Sequence, residues 1–143
     1  MISVDLAAKL KTAGLVWHPA PGDRFTLVQE SFAGEVFTLS EMVVQAQEFP
    51  TGTVLAFNGT TEWALDSAEA ADALWLPRED QLRELLRTSF RSLERVEEGY
   101  RVTAVLPGGT DPSSVQDAEN FWGPEPAEAY GRALLALIRR ATM

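Results

Sequence analysis

Apolar residues at Leu6, Leu10 and Ala13 recur at helical spacing near the start of the chain. Ser3 stands at the N-cap position, Asp5 falls in the first turn, and Gly14 follows the stripe. A Ser side chain satisfies a free amide and glycine tolerates a left-handed exit, so the pattern predicts a short helix with one buried face. The next stretch, "LVWHPAPGDRF", carries two prolines and a glycine and reads as a loop.

The period then changes. "RFTLVQESF" and "EVFTLS" are short and rich in β-formers, and each predicts a strand. "EMVVQAQEF" has helix-forming Met, Gln, Ala and Glu, but Val43-Val44 and the following "PTG" turn favour a strand pairing with "TVLAFN". Asn58-Gly59 is a strong type I′ turn signal, because both residues accept positive φ. "TTEWAL" resumes the alternation, so Phe57 to Leu65 predicts a hairpin in an antiparallel meander.

Asp66 and Ser67 predict the cap of a short helical turn through "AEAADAL". Pro77 suits the first turn of a second helix, followed by Glu79 and Asp80, with Leu82, Leu85 and Leu86 buried and an end near Arg87. "SFRSLERV" and "YRVTAVL" flank "EEG" and predict a further hairpin. "PGGTDPSSVQDAEN" reads as a long polar loop, and "EPAEAYGRALLALIRRA" as a final helix with Tyr130, Leu134, Leu137 and Ile138 as its stripe. Gly131 within it is expected to allow close packing against a strand. The elements add up to an α+β fold: one antiparallel sheet of about five to seven strands, with N-terminal, central and C-terminal helices packed on it. The reading is a single domain over 1–143, with two halves split near Pro77 as the alternative.

Composition narrows the function. The 143 residues are about one domain long, and 45% are hydrophobic, enough for a core without disulfide or metal staples. There is no cysteine and one histidine, His18, which excludes thiolate chemistry and a histidine-rich metal cluster. No signal-peptide pattern or membrane-length apolar run occurs, so the expected location is the cytoplasm, with no membrane partner. The formal net charge of −9 disfavours direct nucleic-acid binding. The charge is uneven: ten acids face three cations through Pro77, and eleven acids face nine arginines from Arg78 onward.

Four groups could carry chemistry. Glu62, Asp66, Glu69 and Asp72 could present carboxylates to Mg²⁺ or Ca²⁺ if 66–72 were helical; the competing reading is an acidic cap and a solvated face. Glu94, Glu97 and Glu98 sit at a predicted hairpin tip and should point to solvent. Arg83, Arg87, Arg91 and Arg95 repeat every four residues and would form a cationic stripe on a continuous helix, but a strand from Phe90 breaks it. Trp17, Trp63, Trp75 and Phe121-Trp122 form an aromatic set; Trp63 and Trp75 are expected in the core. Trp122, in "ENFWGPEP", either staples the loop to the final helix or anchors a protein partner. No phosphate loop, dinucleotide fingerprint or nucleophile elbow occurs, and no cofactor is expected.

At "MISVDLAAKLKTAGLVWHPAPGDRF", "FNGTTEWALDS" and "ALWLPREDQLRELL" the chain resembles a group of small acidic proteins from high-GC Gram-positive bacteria. Members of that group generally have no assigned function, and some are labelled pilus-assembly proteins. That label usually denotes an ATPase-like protein, and this sequence lacks the phosphate-binding loop such a protein needs. The second half also resembles small phage-type proteins with a helix, a hairpin and a final helix. The resemblance implies no catalytic residues. The leading expectation is a non-catalytic adaptor or regulator that binds another protein, with Trp122, Phe121, Trp17, Arg83 and Arg87 as contact residues. Two alternatives stand beside it: a metal-dependent hydrolase using Glu62, Asp66, Glu69 and Asp72, and an acidic inhibitor that mimics nucleic acid through Glu41, Glu48 and Glu62.

Overall fold

The computed structural model describes residues 1–27, 35–39, 43–49, 52–57, 67–69, 73–107 and 118–142, with backbone alone at 43–49, 52–57 and 67–69. Among these residues the fold is α+β, with three helices and antiparallel strands. The chain divides into two compact units: Met1–Val16 with Pro77–Met143, and Trp17–Leu76.

The first unit holds all three helices. α1 spans Val4–Ala13; the Ser3 hydroxyl accepts from the Leu6 amide, and Gly14 closes it at φ +119°. Leu6, Ala7 and Leu10 are its buried residues. α2 spans Glu79–Leu86. Its N-cap is Arg78, so Pro77 lies just outside the helix rather than in its first turn. The Gln81 side-chain Oε1 accepts from the Arg78 backbone amide at 2.9 Å, and the Arg78 guanidinium pairs with Asp80 at 3.1 Å. Arg87 ends the helix at φ +52° and leads into a 3-10 turn, Arg87–Ser89.

The strands of this unit, with the labels that follow chain order, are β7 (Phe90–Val96), β8 (Gly99–Val105) and β9 (Ala118–Gly123), in the order β7-β8-β9. The "EEG" hairpin is present as read from the sequence, with Val96 opposite Gly99. β9 was expected to be loop. Its six residues are mostly polar or half-buried because it lies at the sheet edge, and short edge strands carry a weak alternation signal. α3 spans Pro126–Ala141 and packs against β8, β9, α1 and α2. So many neighbours bury Ala127, Ala129, Gly131, Ala133 and Leu135 besides Tyr130 and Leu134, while Leu137 and Ile138 of the expected stripe are half-buried. Gly131 serves close packing against a helix, not a strand: a Cβ there would meet Leu6 Cδ2 at 2.7 Å and Ile2 Cδ1 at 3.0 Å.

The described residues of the second unit form two three-stranded antiparallel sheets. In one, β1 (Arg24–Leu27) lies between β2 (Phe37–Thr38) and β6 (Ala73–Trp75). Phe25, Leu27, Leu39 and Ala73 form its core, with Trp17 and Phe37 packed against them. In the other, β4 (Gly52–Phe57) lies between β3 (Val43–Phe49) and β5 (Ser67–Glu69).

One expectation fails in this unit. The helical turn through "AEAADAL" is replaced by strands β5 and β6 at its two ends. Ladder bonds to neighbouring strands outweigh the helix propensity of Ala and Glu there. On the side of β4 away from β3, Val54 faces Glu69 of β5. Residues 58–66, which include the Asn-Gly turn, Trp63 and most of "TTEWAL", lie outside the described residues. The nine described strands thus form three sheets where a single sheet of five to seven was expected.

Candidate functional site

The β7-β8-β9 sheet has two unlike faces. On β8, Val102 and Ala104 are fully buried on the side that α3 covers. Successive side chains alternate across a sheet, so Arg101 and Thr103 point to the opposite side. Register places Glu94, Arg101 and Trp122 in one row and Ser92, Thr103 and Asn120 in the next.

Polar contacts knit these rows together. The Arg101 guanidinium donates to Glu94, and the Thr103 hydroxyl donates to Asn120 Oδ1 at 2.8 Å. The Arg101 Nε is buried and has no hydrogen-bond partner. Trp122 closes its row at the edge and is 52% exposed, the one exposed aromatic among the described residues. Its neighbours are held tightly. Phe121, opposite Val102, is half-buried on the α3 side, and a Cβ on Gly123 would meet the Ala129 nitrogen at 2.7 Å.

A chain of polar groups fixes this corner. The Arg132 guanidinium donates to the Trp122 carbonyl oxygen. The same side chain lies 3.8 Å from Glu128. Glu128 accepts from the Ser3 amide at 2.8 Å and from the Ser3 hydroxyl at 3.1 Å, tying the start of α1 to α3. Farther along, Arg140 pairs with Glu119 of β9 at 2.5 Å. The Trp122 indole is therefore displayed on a scaffold braced from both sides.

The other candidate residues are placed differently. Trp17 is half-buried in the second unit, where its indole nitrogen donates to the buried Asp23 carboxylate at 2.9 Å and its ring lies 5.4 Å from Phe25. Asp23 also accepts from the Ala20 amide at 3.0 Å, so the carboxylate holds the 17–23 loop closed. Arg83 is exposed on α2 and reaches the Tyr130 hydroxyl. Burial pushes that hydroxyl above its ordinary pKa, and the Arg83 charge opposes the shift. Arg87 is exposed at the end of α2, while Arg91 and Arg95 lie on β7, so the four arginines form no helical stripe. Trp75 is half-buried on β6, and its Nε1 is buried without a hydrogen-bond partner. His18 is exposed, and Glu97-Glu98 form the exposed tip of the β7–β8 turn.

Glu62, Asp66 and Asp72 lie outside the described residues, as do Glu41 and Trp63. Glu69 sits on β5, which removes the helical spacing expected for a shared carboxylate face; Glu48, of the nucleic-acid-mimic reading, lies on β3. Among the described residues no three His, Cys, Asp or Glu side chains could hold a metal ion. An open groove of about 290 Å³ lies between Lys9 and Thr12 of α1 and Arg139 and Thr142 at the end of α3, but its lysine is already paired with Asp5 at 3.2 Å. No helix among the described residues is long and apolar enough to cross a membrane.

What sequence reasoning missed here is Arg132, Glu128 and Asn120. Arg132 stands four residues after Glu128 in the helix, an ordinary pair on its face. Only the strand identity of "AENFWG" reveals that Arg132 serves the sheet edge. Comparison of the chain with protein-family models, with curated proteins and with solved structures finds no match.

Proposed function

We propose that the protein is a non-catalytic adaptor or regulator that grips another protein through the Trp122 face of the β7-β8-β9 sheet. The observation that carries this reading is the 52% exposure of Trp122 on a strand whose neighbouring residues are packed. A half-exposed indole on a packed backbone offers a large apolar area, the usual character of an interface anchor. Arg101 and Asn120 beside it supply the polar rim. The net charge of −9 and the absence of cysteine support action in a bacterial cytoplasm, away from direct contact with nucleic acid.

Co-purification from the native cell with quantitative mass spectrometry tests the reading. The full chain and its Trp122→Ala variant are compared, with Trp17→Phe as control. One protein should be recovered with the parent and the control and fall by about tenfold or more with Trp122→Ala. Equal recovery by the folded Trp122→Ala variant would remove the basis of the proposal.

A further inference from the structure

On the side where no described strand pairs with it, β9 has a backbone as well as an indole to offer. The β7–β8 turn closes with Val96 opposite Gly99, so these two residues form a hydrogen-bonded pair. Bonding direction alternates along an antiparallel strand. On β8, therefore, Arg101 and Thr103 bond toward β7, while Tyr100, Val102 and Ala104 bond toward β9. Their partners are Gly123, Phe121 and Glu119. The amides and carbonyls of Ala118, Asn120 and Trp122 consequently point away from the sheet, where no described strand pairs with them.

Arg132 corroborates this geometry. Its guanidinium donates to the Trp122 carbonyl, taking the place of an amide from a further strand. Arg132, Ala136 and Arg140 lie one turn apart on α3. Arg132 reaches Trp122 and Arg140 reaches Glu119, so this row runs alongside β9. The spacings agree: eight helical residues rise ~12 Å, and three strand residues ~10 Å. Between the two arginines Ala136 leaves room beside the edge. Arg132 is half exposed, and among the described residues the one carboxylate paired with it, Glu128, lies 3.8 Å away with both oxygens already held by Ser3.

We propose that β9 accepts an extended acidic segment of the partner as a fourth strand of this sheet. The inference rests on the binding role assigned to Trp122 and names the form of its ligand. The segment's amides take the Trp122 and Asn120 carbonyls, its carbonyls take the edge amides, and Arg132 swings from the Trp122 carbonyl to a carboxylate. Side chains on the segment's other face lie beside the indole. Backbone bonds supply affinity in such strand addition and side-chain contacts supply selectivity.

Selection of random peptides displayed on phage against the full chain tests the proposal. Enriched peptides should alternate β-formers with acids, and the synthetic peptides should bind the parent. N-methylation of alternate residues in one phase should abolish binding. Asn120→Pro should do the same while Asn120→Ala, which loses the Thr103 contact equally, should not, because the Asn120 amide bonds nothing in the sheet. Arg132→Glu should weaken binding by about tenfold or more. No enrichment, or peptides indifferent to both Asn120→Pro and N-methylation, overturns strand addition. If such peptides still lose affinity with Trp122→Ala, the indole surface stands and the edge does not. Pairing of two copies through β9 is a third outcome that overturns the proposal; sedimentation would show a dimer lost with Asn120→Pro.

Discussion

At Gly99 the backbone turns with φ +140°, and a Cβ there would collide with the Gly123 carbonyl oxygen. Backbone on both sides leaves no side chain to yield. Gly99→Ala is therefore expected to cost about 2 kcal/mol or more in urea unfolding. Arg87 presents the reverse case, a non-glycine residue at φ +52° with its side chain exposed. Arg87→Gly should raise stability by about 1 kcal/mol, and an unchanged or lower midpoint would show that the guanidinium has an unrecognised partner. Tyr130 gives a pH signature. Its buried hydroxyl titrates above 10.0, the ordinary value, so the folded state keeps a proton that the unfolded state releases. The stability associated with it is present below pH ~10 and declines as pH rises through the folded pKa. Unfolding midpoints of the parent should fall more steeply above that pH than those of Tyr130→Phe.

Among the elements, helix ends were the most legible in the sequence. Ser3 and Gly14 bracket α1 as their chemistry requires, and the "EEG" turn marks the β7–β8 hairpin. Elements whose identity depends on a distant partner were not legible. Ser67–Glu69 has helix-forming residues but is a strand because β4 offers a ladder. β9 becomes a strand through β8, and nothing within "AENFWG" announces it. The candidate site follows the same division: the sequence left Trp122 open between a staple on the final helix and a partner anchor, and its link to Arg132 was not legible at all. Gly131 makes the dependence measurable. Its missing Cβ admits Leu6 of α1, which is buried. Gly131→Ala alone trades a gain in helix propensity for a clash, and Leu6→Ala alone leaves a cavity. The double variant should be more stable than the sum of the single effects by about 0.5 kcal/mol or more, measured by chemical denaturation.

For the molecule as a whole, the first unit is discontinuous, with Trp17–Leu76 between α1 and α2. Its core draws on Leu6 and Leu10 before the break, and on Leu82, Leu86, Val102, Tyr130 and Leu134 after it. The second unit has its own cluster around Phe25 and Leu39. A chain in which a Gly/Ser linker replaces 17–76 should therefore keep a cooperative thermal transition and the circular dichroism of three helices. A broad, non-cooperative melt would show that the first unit depends on the second.

Ser3 and Glu128 stand 125 positions apart, yet each holds the other in place. On a ribosome adding about 5–20 residues per second, the amino-terminal helix waits roughly 6–25 s for the segment that covers it. Throughout that interval Leu6 and Leu10 form an uncovered greasy stripe on a nascent chain, a natural target for chaperones that attend translation.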